Sequence, residues 1–128
     1  MWMTLIFIIE DNENLADGLA YFLKYLARYG TLIANSAELA LDTLMKIETP
    51  DLILLDIKLP GMDGIDFLSR IRRDIKLKDV KVVIYSGLPE YKVREGLEER
   101  NIFVQHILQK PTSPAALVAI IDKELKQK

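Results

Sequence analysis

The sequence predicts a three-layer α/β fold: a doubly wound parallel sheet of five strands, in the order 2-1-3-4-5, with five helices on its two faces. Three observations carry this reading. Strand-like and helix-like segments alternate along all 128 residues, the pattern of successive βαβ units joined by right-handed crossovers. Leu52-Ile-Leu-Leu55 is apolar without a break, as required of a strand covered on both faces. That run and Leu5-Ile-Phe-Ile-Ile9 both end in carboxylates, at Asp56 and at Glu10-Asp11, on the edge where open α/β sheets bind their ligands.

Leu5 to Ile9 forms the first strand. Leu15, Leu19, Phe22, Leu23 and Leu26 then recur at helical spacing, and Gly30 is placed to close that helix as its C-cap. Thr31 to Ala34 makes a short second strand. Ser36 is suited to cap a helix whose Ala37, Ala40, Leu41, Leu44 and Ile47 share one face, with Pro50 beyond its end. The third strand is the Leu52 run, and Asp63-Gly64 opens a third helix with Ile65, Leu68 and Ile71 inward. Val80 to Tyr85 is a fourth strand, rich in β-branched residues. Pro89 to Arg100 reads as a fourth helix with a thin apolar face. Gly96 in its interior costs about 1 kcal/mol relative to alanine, so this helix is expected to be the least firmly held. A fifth strand falls within Phe103 to Gln109. Ser113-Pro114, a cap followed by proline at the first helical position, leads into a last helix with Leu117, Ile120, Ile121 and Leu125 inward.

Size and composition bound the function. The chain, 14.6 kDa and half hydrophobic, has material for one core, so residues 1–128 are expected to form one domain. A net charge of -2 and a pI of about 5.4 give no field that favours nucleic acid or an anionic membrane, and neither is expected as a direct partner. The densest basic stretch, Arg70 to Lys81, also carries Asp74 and Asp79 and reads as solvated surface. The absence of cysteine removes disulfides, thiolate metal sites and thiol nucleophiles, and fits a cytoplasmic protein. The apolar start, Met1 to Ile9, lacks a basic flank and a cleavage site and is read as a strand, not a signal. No apolar stretch approaches the ~18 residues of a membrane span. His106 is the only histidine and reads as structural or surface; Tyr21, Phe22, Tyr25 and Tyr29 are explained by helix faces.

The strand ends carry the chemistry. Glu10, Asp11 and Asp56 bring three carboxylates to one edge, which would repel one another without a cation between them. Val82-Val-Ile-Tyr-Ser86-Gly87 adds a hydroxyl after the fourth strand, and Ile107-Leu-Gln-Lys110-Pro111 adds an ammonium after the fifth.

With this ordered set, Glu10-Asp11, Asp56 followed by Pro60-Gly61 and Asp63-Gly64, Ser86-Gly87 and Lys110-Pro111, the whole chain resembles the receiver domain of two-component response regulators. The resemblance implies a flavodoxin-like (βα)5 fold in which Asp56 accepts a phosphoryl group from a phosphohistidine. The donor would be a sensor histidine kinase or a histidine phosphotransfer protein. It also implies that Glu10, Asp11, Asp56 and the backbone carbonyl of Lys58 hold Mg²⁺, and that Ser86 and Lys110 contact the phosphoryl oxygens. These roles are chemically coherent. Phosphoryl transfer asks for positioning and charge neutralisation, an all-oxygen acidic site suits Mg²⁺, and the backbone N–H groups of Ile57 and Gly87 are available as further donors. The product is a labile aspartyl phosphate, so the chain is expected to catalyse its own phosphorylation and dephosphorylation as a signalling phosphoacceptor and not to act as an enzyme on other substrates.

In the family, the hydroxyl matching Ser86 and an aromatic residue three positions before the lysine reorganise the surface of the fourth helix, fifth strand and fifth helix, which meets a downstream protein or an effector domain. Here that switch position is Ile107, and Thr112 replaces a common phenylalanine. These departures fall on the output and keep an alternative open, a receiver-like interaction module not regulated by phosphorylation. A dehalogenase-like phosphatase would need an acid where Lys58 stands. A flavin carrier would need a phosphate loop where Glu10-Asp11 would repel the phosphate. The last helix runs to the end of the sequence, as expected either of a domain acting alone or of one cut from a longer protein.

Overall fold

A computed structural model of the chain describes residues 3–127; Met1 and Trp2, at the head of the apolar N-terminal run, and Lys128 lie outside the described residues. The strands are β1 (Leu5–Ile9), β2 (Gly30–Ala34), β3 (Leu52–Leu55), β4 (Lys81–Ser86) and β5 (His106–Gln109). The helices are α1 (Glu13–Tyr25), α2 (Ala37–Leu44), α3 (Gly64–Arg72), α4 (Glu90–Glu99) and α5 (Pro114–Leu125). All strand pairs are parallel and run β2-β1-β3-β4-β5, the expected order. The topology reverses between β1 and β3.

Side chains alternate across the sheet, so two cores form. Phe7, Ile9, Ile53, Leu55, Val82 and Ile84 face α2, α3 and α4, where they meet Ala40, Leu44, Phe67, Leu68, Val93 and Leu97. Ile6, Ile8, Leu52, Leu54, Val83 and Tyr85 face α1 and α5, against Ala16, Leu23, Leu117 and Ile121. β3 is buried at every position, as its unbroken apolar sequence requires.

Four helices start on a side-chain cap, at Asn12, Ser36, Asp63 and Ser113; each such cap is worth about 1 kcal/mol. Helix α4 begins at Pro89 with no side-chain cap, and it buries only Val93 and Leu97. Both facts agree with its weak sequence signal. Gly96 has a packing reason as well: a Cβ there would lie 2.5 Å from Ile65 Cδ1 of α3.

Three expectations are corrected. Gly30 does not cap α1; the helix ends at Tyr25, Arg28 takes the positive φ in the turn, and Gly30 opens β2. A Cβ on Gly30 would approach Met3 Sδ to 2.9 Å, a contact the exposed methionine side chain can relieve by moving. Tyr29 accordingly lies beyond α1, and its hydroxyl donates to Asp122 of α5. The basic stretch is more than solvated surface. Arg72 donates to the carbonyls of Lys78 and Val80, Lys76 to those of Leu44 and Ile47, and Lys81 to those of Leu125 and Gln127. Cations thereby satisfy carbonyls at the ends of α2 and α5. Among the described residues no helix is long and apolar enough to cross a membrane.

Candidate functional site

The backbone ladders extend one residue past the strands and fix the residues that follow. The Glu10 N–H donates to Ala34 O at 3.1 Å, the Asp56 N–H to Ile9 O at 3.0 Å and the Lys110 N–H to Ser86 O at 2.7 Å. Glu10, Asp56 and Lys110 are thus held by the sheet itself, although each lies outside a strand. Asp11, one residue further along, is exposed.

These side chains meet. Lys110 Nζ donates to Glu10 Oε1 at 2.6 Å and to Asp56 Oδ2 at 3.1 Å. The other Asp56 oxygen accepts from the Ile57 N–H at 2.8 Å, and the other Glu10 oxygen from the Asn12 N–H at 3.2 Å. Glu10 and Asp56 are only 3% and 6% exposed. Glu10, Asp11 and Asp56 each bring one carboxylate oxygen within 4.8 Å of the others. One ammonium faces three carboxylates, so the cluster is short of positive charge.

The titration of the pair reflects this balance. Burial pushes the Glu10 carboxyl above its usual range, with the bonds from Lys110 and Asn12 opposing and the Asp56 charge adding to the rise. Burial also acts to lower the Lys110 pKa, but the Glu10 and Asp56 carboxylates outweigh it and hold the ammonium above its ordinary value. At 2.6 Å the contact is a charge-assisted hydrogen bond, and an ionised pair is the form we favour.

A hard, all-oxygen donor set that opens to solvent on the Asp11 side fits a Mg²⁺ ion, which takes few carboxylates and keeps several waters. Imidazole plays no part: His106 opens β5, its Nδ1 2.8 Å from Glu124 Oε1 of α5.

The remaining predicted residues border this cluster. Lys58 is exposed in the turn after β3, where Ile57 O accepts from the N–H groups of Leu59 and Gly64. Ser86 ends β4, fully buried, its Oγ accepting from the Leu88 N–H at 3.2 Å. Gly87 borders open space, since a Cβ there would meet nothing within 4 Å. Ile107 is buried in β5 opposite Ile84, in the core facing α4. The aromatic ring near the lysine is instead Tyr85, on the opposite face, with Lys110 Nζ 5.5 Å from its centroid and its hydroxyl accepting from the Thr112 N–H. The Lys110-Pro111 bond is cis.

Sequence reasoning missed two residues beside the site. Asn35 donates to Glu10 O at 2.9 Å, and Glu38 accepts from the Met62 N–H at 2.9 Å. The available signal was position. β2 also ends at this edge, and Asn35 follows it directly.

Residues 6–122 match the family model described as the response regulator receiver domain. The chain is 32% identical over 124 residues to the phosphate regulon transcriptional regulatory protein PhoB of Pseudomonas aeruginosa, covering 95% of this chain and 52% of that protein. It is 31% identical to protein-glutamate methylesterase/protein-glutamine glutaminase 3 of Rhodospirillum rubrum, covering 98% of this chain and 33% of the relative. The chain therefore spans about half or less of the length of these relatives. Among solved structures, a putative response regulator from Chloroflexus aurantiacus superposes with a TM-score of 0.87 at 25% identity, covering 98% of this chain and all of the other. Chemotaxis response regulator CheY4 of Vibrio cholerae superposes with a TM-score of 0.85 at 19% identity, covering 96% of this chain and 99% of that one; at that identity it speaks to the fold alone.

Proposed function

The chain belongs to the response regulator receiver family, and on that premise we propose that Asp56 accepts a phosphoryl group in a Mg²⁺-dependent transfer from a phosphohistidine. The observation that carries the reading is the convergence of Lys110 on Glu10 and Asp56, with Asp11 beside them. Three distant strand ends build one site around one carboxylate.

Receiver domains are signalling phosphoacceptors, phosphorylated by histidine kinases. For this chain the donor is a sensor histidine kinase or a histidine phosphotransfer protein. An Asp56 carboxylate oxygen attacks phosphorus, and the P–N bond breaks with its electron pair leaving on the imidazole. Glu10, Asp11, Asp56 and the Lys58 carbonyl would hold Mg²⁺, which would supply neutralisation of charge on the phosphoryl oxygens. Lys110 moves its hydrogen bonds from the carboxylates to the phosphoryl group. The Ser86 hydroxyl and the N–H groups of Ile57 and Gly87 donate to the same oxygens. Hydrolysis reverses the state: water attacks phosphorus, the acyl P–O bond breaks, and Asp56 returns as a carboxylate.

Output runs through the surface of α4, β5 and α5 to a downstream protein or an effector domain. With aliphatic Ile107 at the switch position, the shift rests on Ser86 and Lys110 acting on α4. A hydrogen bond to a charged group is worth roughly 1.5 to 3 kcal/mol, and inverting a 1:99 equilibrium takes about 5.5. Ser86 alone is insufficient, and unless Lys110 and the metal also contribute the shift is partial. The uncapped start and thin core contact of α4 make it the element to move, and altered amide exchange over residues 87–109 on phosphorylation is the expected signature.

Acetyl phosphate with Mg²⁺ tests the chemistry. Intact-mass measurement should find one phosphoryl group on the wild type and none on Asp56→Asn. Labelling of the variant, or a wild type that stays unlabelled, would overturn the assignment.

A further inference from the structure

We propose that Asn35 and Glu38 are positioning residues of this site, and that the segment from the end of β2 into α2 ties down both the backbone carrying Glu10 and the loop that follows Asp56. The inference rests on the Mg²⁺ and phosphoryl site proposed above.

Two contacts from adjacent turns make the brace. The Glu10 N–H donates to Ala34 O, and Asn35 Nδ2 returns a bond to Glu10 O at 2.9 Å. Glu10 is therefore gripped at its N–H and at its carbonyl, in the two peptide units flanking its α-carbon, by the consecutive residues Ala34 and Asn35. Ser36 then caps α2 through the Leu39 N–H, which sets the first turn of the helix and places Glu38 toward the β3–α3 loop. There Glu38 Oε2 accepts from the Met62 N–H at 2.9 Å. Gly61 has φ +75°, and a Cβ on it would lie 2.5 Å from Glu38 Oε2. The turn closes on the carboxylate because residue 61 is glycine.

The loop so held carries the groups the site needs. Asp56 is anchored to β1 through its N–H, and Gly64 N–H bonds Ile57 O at 2.8 Å. Between these anchors run exposed Lys58, Leu59 buried in the core facing α2, α3 and α4, Pro60 and Gly61, and Glu38 fastens the loop just beyond them through the Met62 N–H. Metal ligands work through such outer contacts, because a carbonyl or carboxylate free to drift loses affinity that no nearer residue restores. An acid in the first turn of α2 also suits the helix dipole, but the dipole does not explain a bond to a residue 24 positions away. The Met62 N–H holds the Glu38 carboxyl below its usual range, although the side chain is open to solvent, in keeping with a carboxylate that is engaged.

Calorimetric Mg²⁺ titration and amide exchange of the wild type, Glu38→Ala, Glu38→Gln and Asn35→Ala decide the matter. Glu38→Ala and Asn35→Ala should each weaken Mg²⁺ binding by about tenfold, the low end for residues that orient metal ligands. Glu38→Ala should also speed exchange at Met62. Glu38→Gln keeps an acceptor oxygen without the charge and should retain both wild-type affinity and slow exchange. If Glu38→Gln is as weak as Glu38→Ala, the effect is one of charge and the tether is wrong. If both alanine variants bind like the wild type, the brace is refuted while the site stands. A wild type that does not bind Mg²⁺ refutes the site and the brace together.

Discussion

Gly64 packs its α-carbon against the carbonyl of Asp56 so closely that a Cβ there would lie 2.3 Å from that oxygen and 2.8 Å from the α-carbon of Ile57. The atoms in the way are backbone and cannot rotate aside. Gly64→Ala must push α3 off the end of β3, strain the Gly64 N–H bond to Ile57 O, and shift the peptide that follows Asp56. Overpacking of this kind costs about 1–3 kcal/mol. Urea denaturation should report that loss, and labelling by acetyl phosphate should fall by more than the unfolded fraction explains. A variant with wild-type stability and labelling would show that the contact relaxes at no cost.

Lys110 supplies one positive charge to a cluster of three carboxylates, so the folded chain gains from a divalent cation. Mg²⁺ at a hundred times its dissociation constant should raise unfolding free energy by about 2.7 kcal/mol, read as a shift of the denaturation midpoint. Asp11→Asn changes an exposed carboxylate and leaves the core intact. It should remove most of that increment, while its own stability without Mg²⁺ matches or exceeds that of the wild type because repulsion is relieved. A midpoint insensitive to Mg²⁺ in the wild type would exclude the cation site.

Tyr29 and Asp122 fasten the start of β2 to α5, and this contact sets an alkaline limit. Burial, the hydrogen bond to Asp122 and the Asp122 charge push the phenol up to about 12 from its ordinary 10.0. Between these values the folded chain keeps a proton that the unfolded chain has lost, so stability falls as pH rises. The contribution is complete below pH 10 and disappears through pH 12. Lys110, held above 10.5 by Glu10 and Asp56 against the pull of burial, loses its contribution in the same direction. Denaturant midpoints from neutral pH to pH 12 should decline across this window, and Tyr29→Phe should flatten the slope without abolishing it. An unchanged slope in Tyr29→Phe would remove Tyr29 from the account.

The site was legible because its members directly follow strands: Glu10 and Asp11 after the apolar run ending at Ile9, Asp56 after Leu55, and the ammonium of Lys110 after β5. Strand ends in a parallel sheet share an edge, so one-dimensional order already implies proximity. The braces were not legible. Asn35 to Glu10 and Glu38 to Met62 join residues about two dozen positions apart, and neither pair forms a local motif. Glycine was ambiguous for a related reason. Gly30 reads as a helix stop and Gly64 as part of a helix start, but Gly64 is required by backbone that packs against it and Gly30 opens a strand beside Met3, and packing partners are absent from a sequence pattern. Arg72 and Lys76 were read by charge alone, whereas their positions beside open carbonyls determine what they do.

Helix propensity and packing make opposite demands at Gly96. Alanine would gain about 1 kcal/mol in the interior of α4, yet its Cβ would come within 2.5 Å of Ile65 Cδ1, with Ile65 Cγ1 at 3.9 Å. The obstructing atom is the far end of a side chain, and valine at position 65 lacks it. Gly96→Ala alone should therefore be neutral or destabilising, while the same change in an Ile65→Val background should recover most of the propensity gain. A double-mutant cycle by urea denaturation measures the coupling between the two positions. If Gly96→Ala stabilises equally in both backgrounds, α3 and α4 are not in tight contact here.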